Sequence, residues 1–427
     1  MTAAGGLIQT SARCPWWPFA LVIVLLPFGR SAESGTLLCL LGVLWLGIGN
    51  PPVLVANRGA RLLLGLLAAY VGAALLSAPD AVAPAKSWET VAGLLRYVPL
   101  GLFACLVIRR PAGLRALYVT VAVLVALWAL DAWMQILTGW SVRGHAPAER
   151  ISGIFGADNL KLGPTLAVLS PFVLWAVRQR FGHPGWLLAL ALMLGPILLA
   201  GSRAAWLMYA LVVLGFAWHA VASPRRFAWF CAAAAACLAL ALGLAWQTSE
   251  RFQQRAERTL LVFQDRPQAV DAALSGRLDI WRAATRMIAA HPVNGVGVRG
   301  FRYAYPHYVP ANDHFLVAEP CGVGEGACHA HQLLLEVLSE TGGIGLLLWL
   351  AAAVLAWRSW RRVSAAARAR AFPASLALGV MLFPLNTHLA FYSAWWGLLF
   401  AWLLALWCAA LFVEPDLAPT TEPQHAA

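Results

Sequence analysis

His331 is the residue in this chain whose type and setting best suit moving a proton. It lies in HAHQLLLEVLSETGGIG, residues 329–345. Leu334, Leu335 and Leu338 mark the face of a helix after it, and Gly342 with Gly343 breaks that helix. An imidazole at a helix start titrates near neutral pH and suits general-base work. The competing account is a capping or core histidine.

Cations on the same side of the chain suggest what His331 would work on. Arg203 sits in GSRAAWL between two apolar runs, where an arginine is costly unless it is paired or faces a watery cavity. Arg277 lies in a predicted helix, Leu274 to His291, and shares a face with Trp281 and Ala284 before Pro292 stops it. Lys86, Arg150 in RISGIFGADN and Arg299 in NGVGVRGF complete the candidates, with Lys161 read as an ordinary interfacial charge. Arginine forks bind phosphate oxygens in a planar, bidentate way, so the set points to an anionic, phosphate-bearing ligand. NGVGVRGF lacks the Walker pattern. The carboxylates Asp265, Asp271, Asp279, Asp313, Glu319, Glu325, Glu336 and Glu340 contain no DxD pair, so a divalent metal has no obvious ligands and no cofactor is implied. Arginines would then have to neutralise a departing pyrophosphate themselves.

The elements that must position these groups are apolar helices. Apolar residues make up 61% of the 427-residue chain and charged residues 12%, about half the share usual in soluble domains. The net charge of +12 is split among short loops, which argues against nucleic acid as a partner. The pattern predicts an all-α integral membrane protein of about twelve spans. They lie near 16–29, 35–50, 60–77, 91–108, 113–137, 160–178, 185–200, 204–221, 226–246, 331–357, 371–390 and 394–413. Nine spans thus occupy residues 1–246. A large outer loop with helical segments occupies 247–330, three spans fill 331–413, and a short tail covers 414–427. Arginines in alternate short loops (Arg58, Arg61, Arg109, Arg110, Arg178, Arg180, Arg225, Arg226 and Arg358 to Arg370) put both termini in the cytoplasm. His331 and its companion cations then lie outside. In an oxidising outer compartment Cys321 and Cys328 could pair just ahead of His331.

His331, Gln332, nine residues, Gly342, two residues and Gly345 resemble the signature of the O-antigen ligase family. GSRAAWL resembles a second element of that family, and the layout of spans around one large periplasmic loop agrees along nearly the whole chain. The resemblance implies an inverting, metal-independent membrane glycosyltransferase of the GT-C type in the bacterial inner membrane. It would move an O-antigen chain from undecaprenyl pyrophosphate to a sugar hydroxyl of lipid A–core at the periplasmic face. His331 would be the base, and Arg203 and Arg277 would hold the pyrophosphate; Lys86, Arg150 and Arg299 enter on the charge argument alone. An O-antigen polymerase or a protein O-oligosaccharyltransferase would use the same donor. A transporter fits less well, because the charges cluster at span ends rather than at the bilayer midplane.

Overall fold

The structure, a computed structural model, describes residues 15–49, 56–145, 150–157, 159–220, 223–248, 253, 276–317, 321, 326–387 and 390–413. The 414–427 tail and most of 249–275 lie outside the described residues. What is described is almost entirely helical, with one two-residue β-ribbon pairing Trp140–Ser141 with Gly144–His145.

The helices in chain order are α1 (Trp17–Leu25), α2 (Glu33–Gly49), α3 (Arg58–Ser77), α4 (Pro84–Leu94), α5 (Tyr97–Val107), α6 (Pro111–Thr138), α7 (Leu162–Leu199) and α8 (Arg203–Ala220). They continue with α9 (Pro224–Thr248), α10 (Arg277–Ala290), α11 (Phe301–Ala304), α12 (Leu333–Arg362), α13 (Ala365–Met381) and α14 (Ala394–Leu411). Among the described residues, eight helical stretches are long and apolar enough to cross a membrane.

Two of those stretches are hairpins rather than single rods. In α7, Gly182 adopts φ 65°, which breaks the helix, with Pro184 just beyond it. Gly163, near the start of α7, consequently lies against Ile197 and Ala200 at its end. A straight helix would hold residues so far apart in sequence roughly 50 Å from each other. Gly29, at φ 65°, does the same between α1 and α2, bringing Gly35 back against Pro18 and Val22.

Small residues let the helices approach closely. Along α3 and α12, Gly65 faces Leu355, Gly72 faces Leu348, and Ala73 faces Gly345, so the two helices run antiparallel. The centre of the bundle is α14, 89% of whose residues are buried, against 28–50% in the other candidate spans. Its Trp402 stacks on Phe19 at 4.8 Å and donates its indole N–H to the Phe19 carbonyl at 2.8 Å.

The span expected at 371–390 is shifted. The helix runs from Ala365 to Met381, so Arg368 and Arg370 are helical, and residues 382–387 and 390–393 are non-helical chain. Ser364 sets the start by accepting the Ala367 N–H.

The bundle has two distinct ends. One gathers the end of α3, the 292–300 turn, the start of α12 and the segment before α14, tied by Val298 N–H to Ser77 (3.1 Å), Ser87 to the Val298 carbonyl (2.9 Å) and Tyr70 to the Phe391 carbonyl (2.6 Å). The other gathers the opposite ends of the same helices, with Asn57 donating to the Cys105 carbonyl (2.8 Å) and Arg370 to the Val413 carbonyl (3.3 Å).

Candidate active site

The segment carrying His331 is locally irregular for reasons visible residue by residue. His331 holds a left-handed backbone at φ 51°, a conformation L side chains seldom adopt without tertiary support. Gln332 follows as the N-cap of α12: its side-chain oxygen accepts the Leu335 N–H at 2.6 Å, and its amide donates to the Pro384 carbonyl at 3.1 Å. Nine residues on, Gly342 takes φ 62° and breaks α12 into a short first limb and a long second one. A Cβ there would strike the Val293 backbone. At Gly345 a Cβ would strike Thr341. The motif is thus an irregular imidazole, a cap, a helical turn and two close approaches.

Arg277 reaches this imidazole from another element. Its helix, α10, follows Gly276 at φ 74° and packs Ile280, Ala283, Ala284 and Met287 against Val296, Phe301 and Tyr305. The Arg277 guanidinium donates to the Thr387 hydroxyl at 3.0 Å. Thr387 also hydrogen-bonds the His331 ring through its backbone. A residue with no motif around it therefore joins the two groups the sequence singles out.

Arg203 comes to the same place from α8. Its charge acts on Arg277, which burial first, and then Arg203, push below the usual arginine range. Asn386 fixes the relation, donating to the Met208 sulfur at 3.4 Å and to the Met381 carbonyl at 2.9 Å. Arg150 lies over Gly201, and Ile151 N–H bonds the Leu199 carbonyl at 3.2 Å, so Arg150 borders the Arg203 turn. Two like charges brought together under partial burial are unfavourable unless an anion lies between them.

Burial, then the positive charge of Arg277, pushes the His331 imidazole down to about 4, opposed by the bond to Thr387. The ring is therefore neutral at physiological pH. Its Nδ1 is buried without a hydrogen-bond partner among the described residues. His329 packs against it with ring centroids 3.9 Å apart.

The other sequence candidates have different surroundings. Lys86 pairs with Glu89 one turn along α4, at 2.8 Å. Arg299 has its N–H bonded to a Glu340 carboxylate oxygen at 2.9 Å, and its charge acts on both Glu336 and Glu340. This occupies Arg299 with carboxylates rather than with the His331 group. A disulfide joins Cys321 and Cys328, whose Cα atoms are 5.6 Å apart.

Glu336 and Glu340, fully buried one turn apart on α12, accept backbone N–H groups close to the candidate site, a role the sequence did not single out. Glu336 accepts the Phe391 N–H at 2.7 Å, and Glu340 accepts from the 292–300 turn. Each carboxylate anchors one of the two loops bordering His331. Their i, i+4 spacing with no apolar interruption on that face was the available signal. Among the described residues, no three His, Cys, Asp or Glu side chains converge as a metal set.

Residues 188–350 match the family model described as O-antigen ligase. The matched segment contains Arg203, Arg277, the cysteine pair, His331 and the whole Gln332 to Gly345 motif. No curated protein matches the chain. Residues 188–350 are thus similar to the O-antigen ligase family, in a chain whose apolar helices mark a multi-pass membrane protein.

Proposed function

We propose that the protein is a membrane glycosyltransferase that transfers an O-antigen chain from undecaprenyl pyrophosphate to a sugar hydroxyl of lipid A–core. The reaction takes place at the periplasmic face of the inner membrane, on a bundle of twelve spans with cytoplasmic termini. The observation carrying this reading is the convergence of a neutral, buried imidazole with two arginines from separate helices, inside the matched segment.

In the reaction, His331 takes the proton of the acceptor hydroxyl. The acceptor oxygen forms a bond to the anomeric carbon of the donor sugar from the face opposite the leaving group, which inverts that centre. The bond from this carbon to pyrophosphate breaks, and its electron pair leaves with the phosphate oxygen. Arg203 and Arg277 stabilise the charge that develops there, with Arg150 at the margin. No divalent metal is required. A bound pyrophosphate offsets the charge of Arg277 and raises the proton affinity of His331, so the base strengthens when the donor is present.

Reconstitution with lipid-linked glycan and either lipid A–core or a second lipid-linked glycan tests this. Transfer to lipid A–core, undiminished by a chelator, is expected. Chain extension on the second lipid-linked glycan alone would make the enzyme a polymerase, and activity lost to the chelator would overturn metal independence.

A further inference from the structure

At the end of the bundle opposite His331, five arginines line one cavity of about 1120 Å³. They are Arg58 and Arg61 at the start of α3, Arg109 after α5, Arg362 at the end of α12 and Arg370 in α13. The remaining wall is largely apolar, including Leu62, Ile108, Leu355, Leu411 and Phe412. No Asp or Glu among the described residues lines it, and the ion pairs found among the described residues all lie elsewhere. Arg370 keeps one guanidinium bond, to the Val413 carbonyl, while its buried Nε has no partner among the described residues.

Five like charges facing one half-apolar cavity repel one another, and water alone screens them incompletely. An anion with an apolar body relieves both features. Arginine forks match phosphate oxygens, and Leu355, Leu411 and Phe412 offer surface to acyl chains. The cavity lies at helix ends, where a lipid headgroup sits, and basic pockets between spans on the positively charged side suit such headgroups. We propose that this cavity is a binding site for an anionic phospholipid, with the phosphate held by Arg58, Arg61 and Arg362. The site is separate from the transfer site and is independent of the transferase reading, since the two lie at opposite ends of α3, a 20-residue helix about 30 Å long.

General attraction of basic loops to an acidic membrane surface would also retain such lipids, so the test needs a charge-matched control. Arg225 and Arg226 begin α9 and are exposed. They share this end of the bundle, since the C-terminal part of α8 packs there through His219 on Phe372, and neither lines the cavity. The full-length protein is purified in detergent and titrated with phosphatidylglycerol and diphosphatidylglycerol, with phosphatidylethanolamine as the uncharged comparison. Native mass spectrometry reads the bound lipid. The double variant Arg58→Gln/Arg362→Gln is expected to lose about fivefold in anionic-lipid affinity for each arginine removed, from ~1 kcal/mol per basic residue. Arg225→Gln/Arg226→Gln is expected to keep wild-type affinity. Equal losses in the two variants, or no preference over phosphatidylethanolamine, would overturn the site. Displacement of bound lipid by inorganic phosphate at matched phosphate concentration would overturn the lipid assignment in favour of a soluble anion. A thermal unfolding midpoint within the wild-type range in lipid-free detergent verifies that the variants are folded, and Arg61→Gln serves as the substitute if one is not.

Discussion

The chemistry of His331 depends on its neighbours more than on its own intrinsic basicity. Burial and Arg277 together hold the ring down at about 4. A free histidine would lose its basic form below about 6.5. The acid limb of kcat/KM, which reports the free enzyme, is therefore expected below pH 5, with a flat region through pH 6 to 8 from this group. Removing the positive charge in Arg277→Gln raises the His331 pKa, so that variant's acid limb moves up toward the ordinary histidine range. A pH–rate profile of each form reads this, and an unchanged limb in Arg277→Gln would separate the two residues. His331→Ala should lower kcat by about 10²–10⁴, the usual contribution of a positioned base, while the unfolding midpoint stays near that of the wild type. Arg203→Lys should also cost activity, because a single ammonium replaces a two-pronged contact.

At the scale of elements, the first limb of α12 acts as a pin between two loops. Glu336 holds the Phe391 backbone and Glu340 the Arg299 backbone, while Gln332 holds Pro384. A glutamine at 336 keeps an oxygen for the Phe391 N–H, whereas a leucine leaves that buried N–H unpaired at about 1–3 kcal/mol. Glu336→Gln is therefore expected to retain more stability and transfer activity than Glu336→Leu, as measured by thermal unfolding and glycan transfer on the same preparations. Similar losses in the two would remove the backbone bond from the explanation. Gly342→Ala should destabilise by at least about 1–3 kcal/mol from its left-handed backbone, with the clash against Val293 in addition. The sequence pattern made the break at Gly342 legible, since two adjacent glycines interrupt an apolar helix. The α7 turn was equally legible from the apolar run that stops before Gly182 and Pro184. The pin was not, because Glu336 and Glu340 read in one dimension as scarce charges with no metal partner, and only the loops packed on them reveal them as acceptors. Thr387 carries no local signal either: its contact with Arg277 spans 110 residues and follows from the packing of α10 on α12, which brings Arg277 to the chain that follows α13.

For the whole molecule, the sequence legibly separated a side dense in polar chemistry from a side dense in arginines, and the helices carry that separation through the bundle. The helix α12 begins beside His331 and carries Glu336 at that end and Arg362 at the other, while α3 carries Arg61 at the arginine end and, through Tyr70, bonds the Phe391 carbonyl toward the His331 end. On the positive-inside bias we propose that the arginine end faces the cytoplasm and the His331 end the outside. Single cysteines introduced at Arg143 or Ala311, both exposed at or near the His331 end, should react with a membrane-impermeant maleimide in intact spheroplasts. Cysteines at Arg110 or Arg226 should react only after permeabilisation. Among the described residues the free cysteines Cys39, Cys105 and Cys408 are buried and Cys231 is partly buried within α9, so with Cys14 and Cys237 also replaced the triple variant Cys14→Ser/Cys231→Ser/Cys237→Ser provides the background for this experiment. Labelling of Arg110→Cys in sealed spheroplasts would invert the topology. It would also move His331 to the compartment where a lipid-linked donor facing outward could not reach it, and so it would overturn the periplasmic transfer reaction together with the orientation.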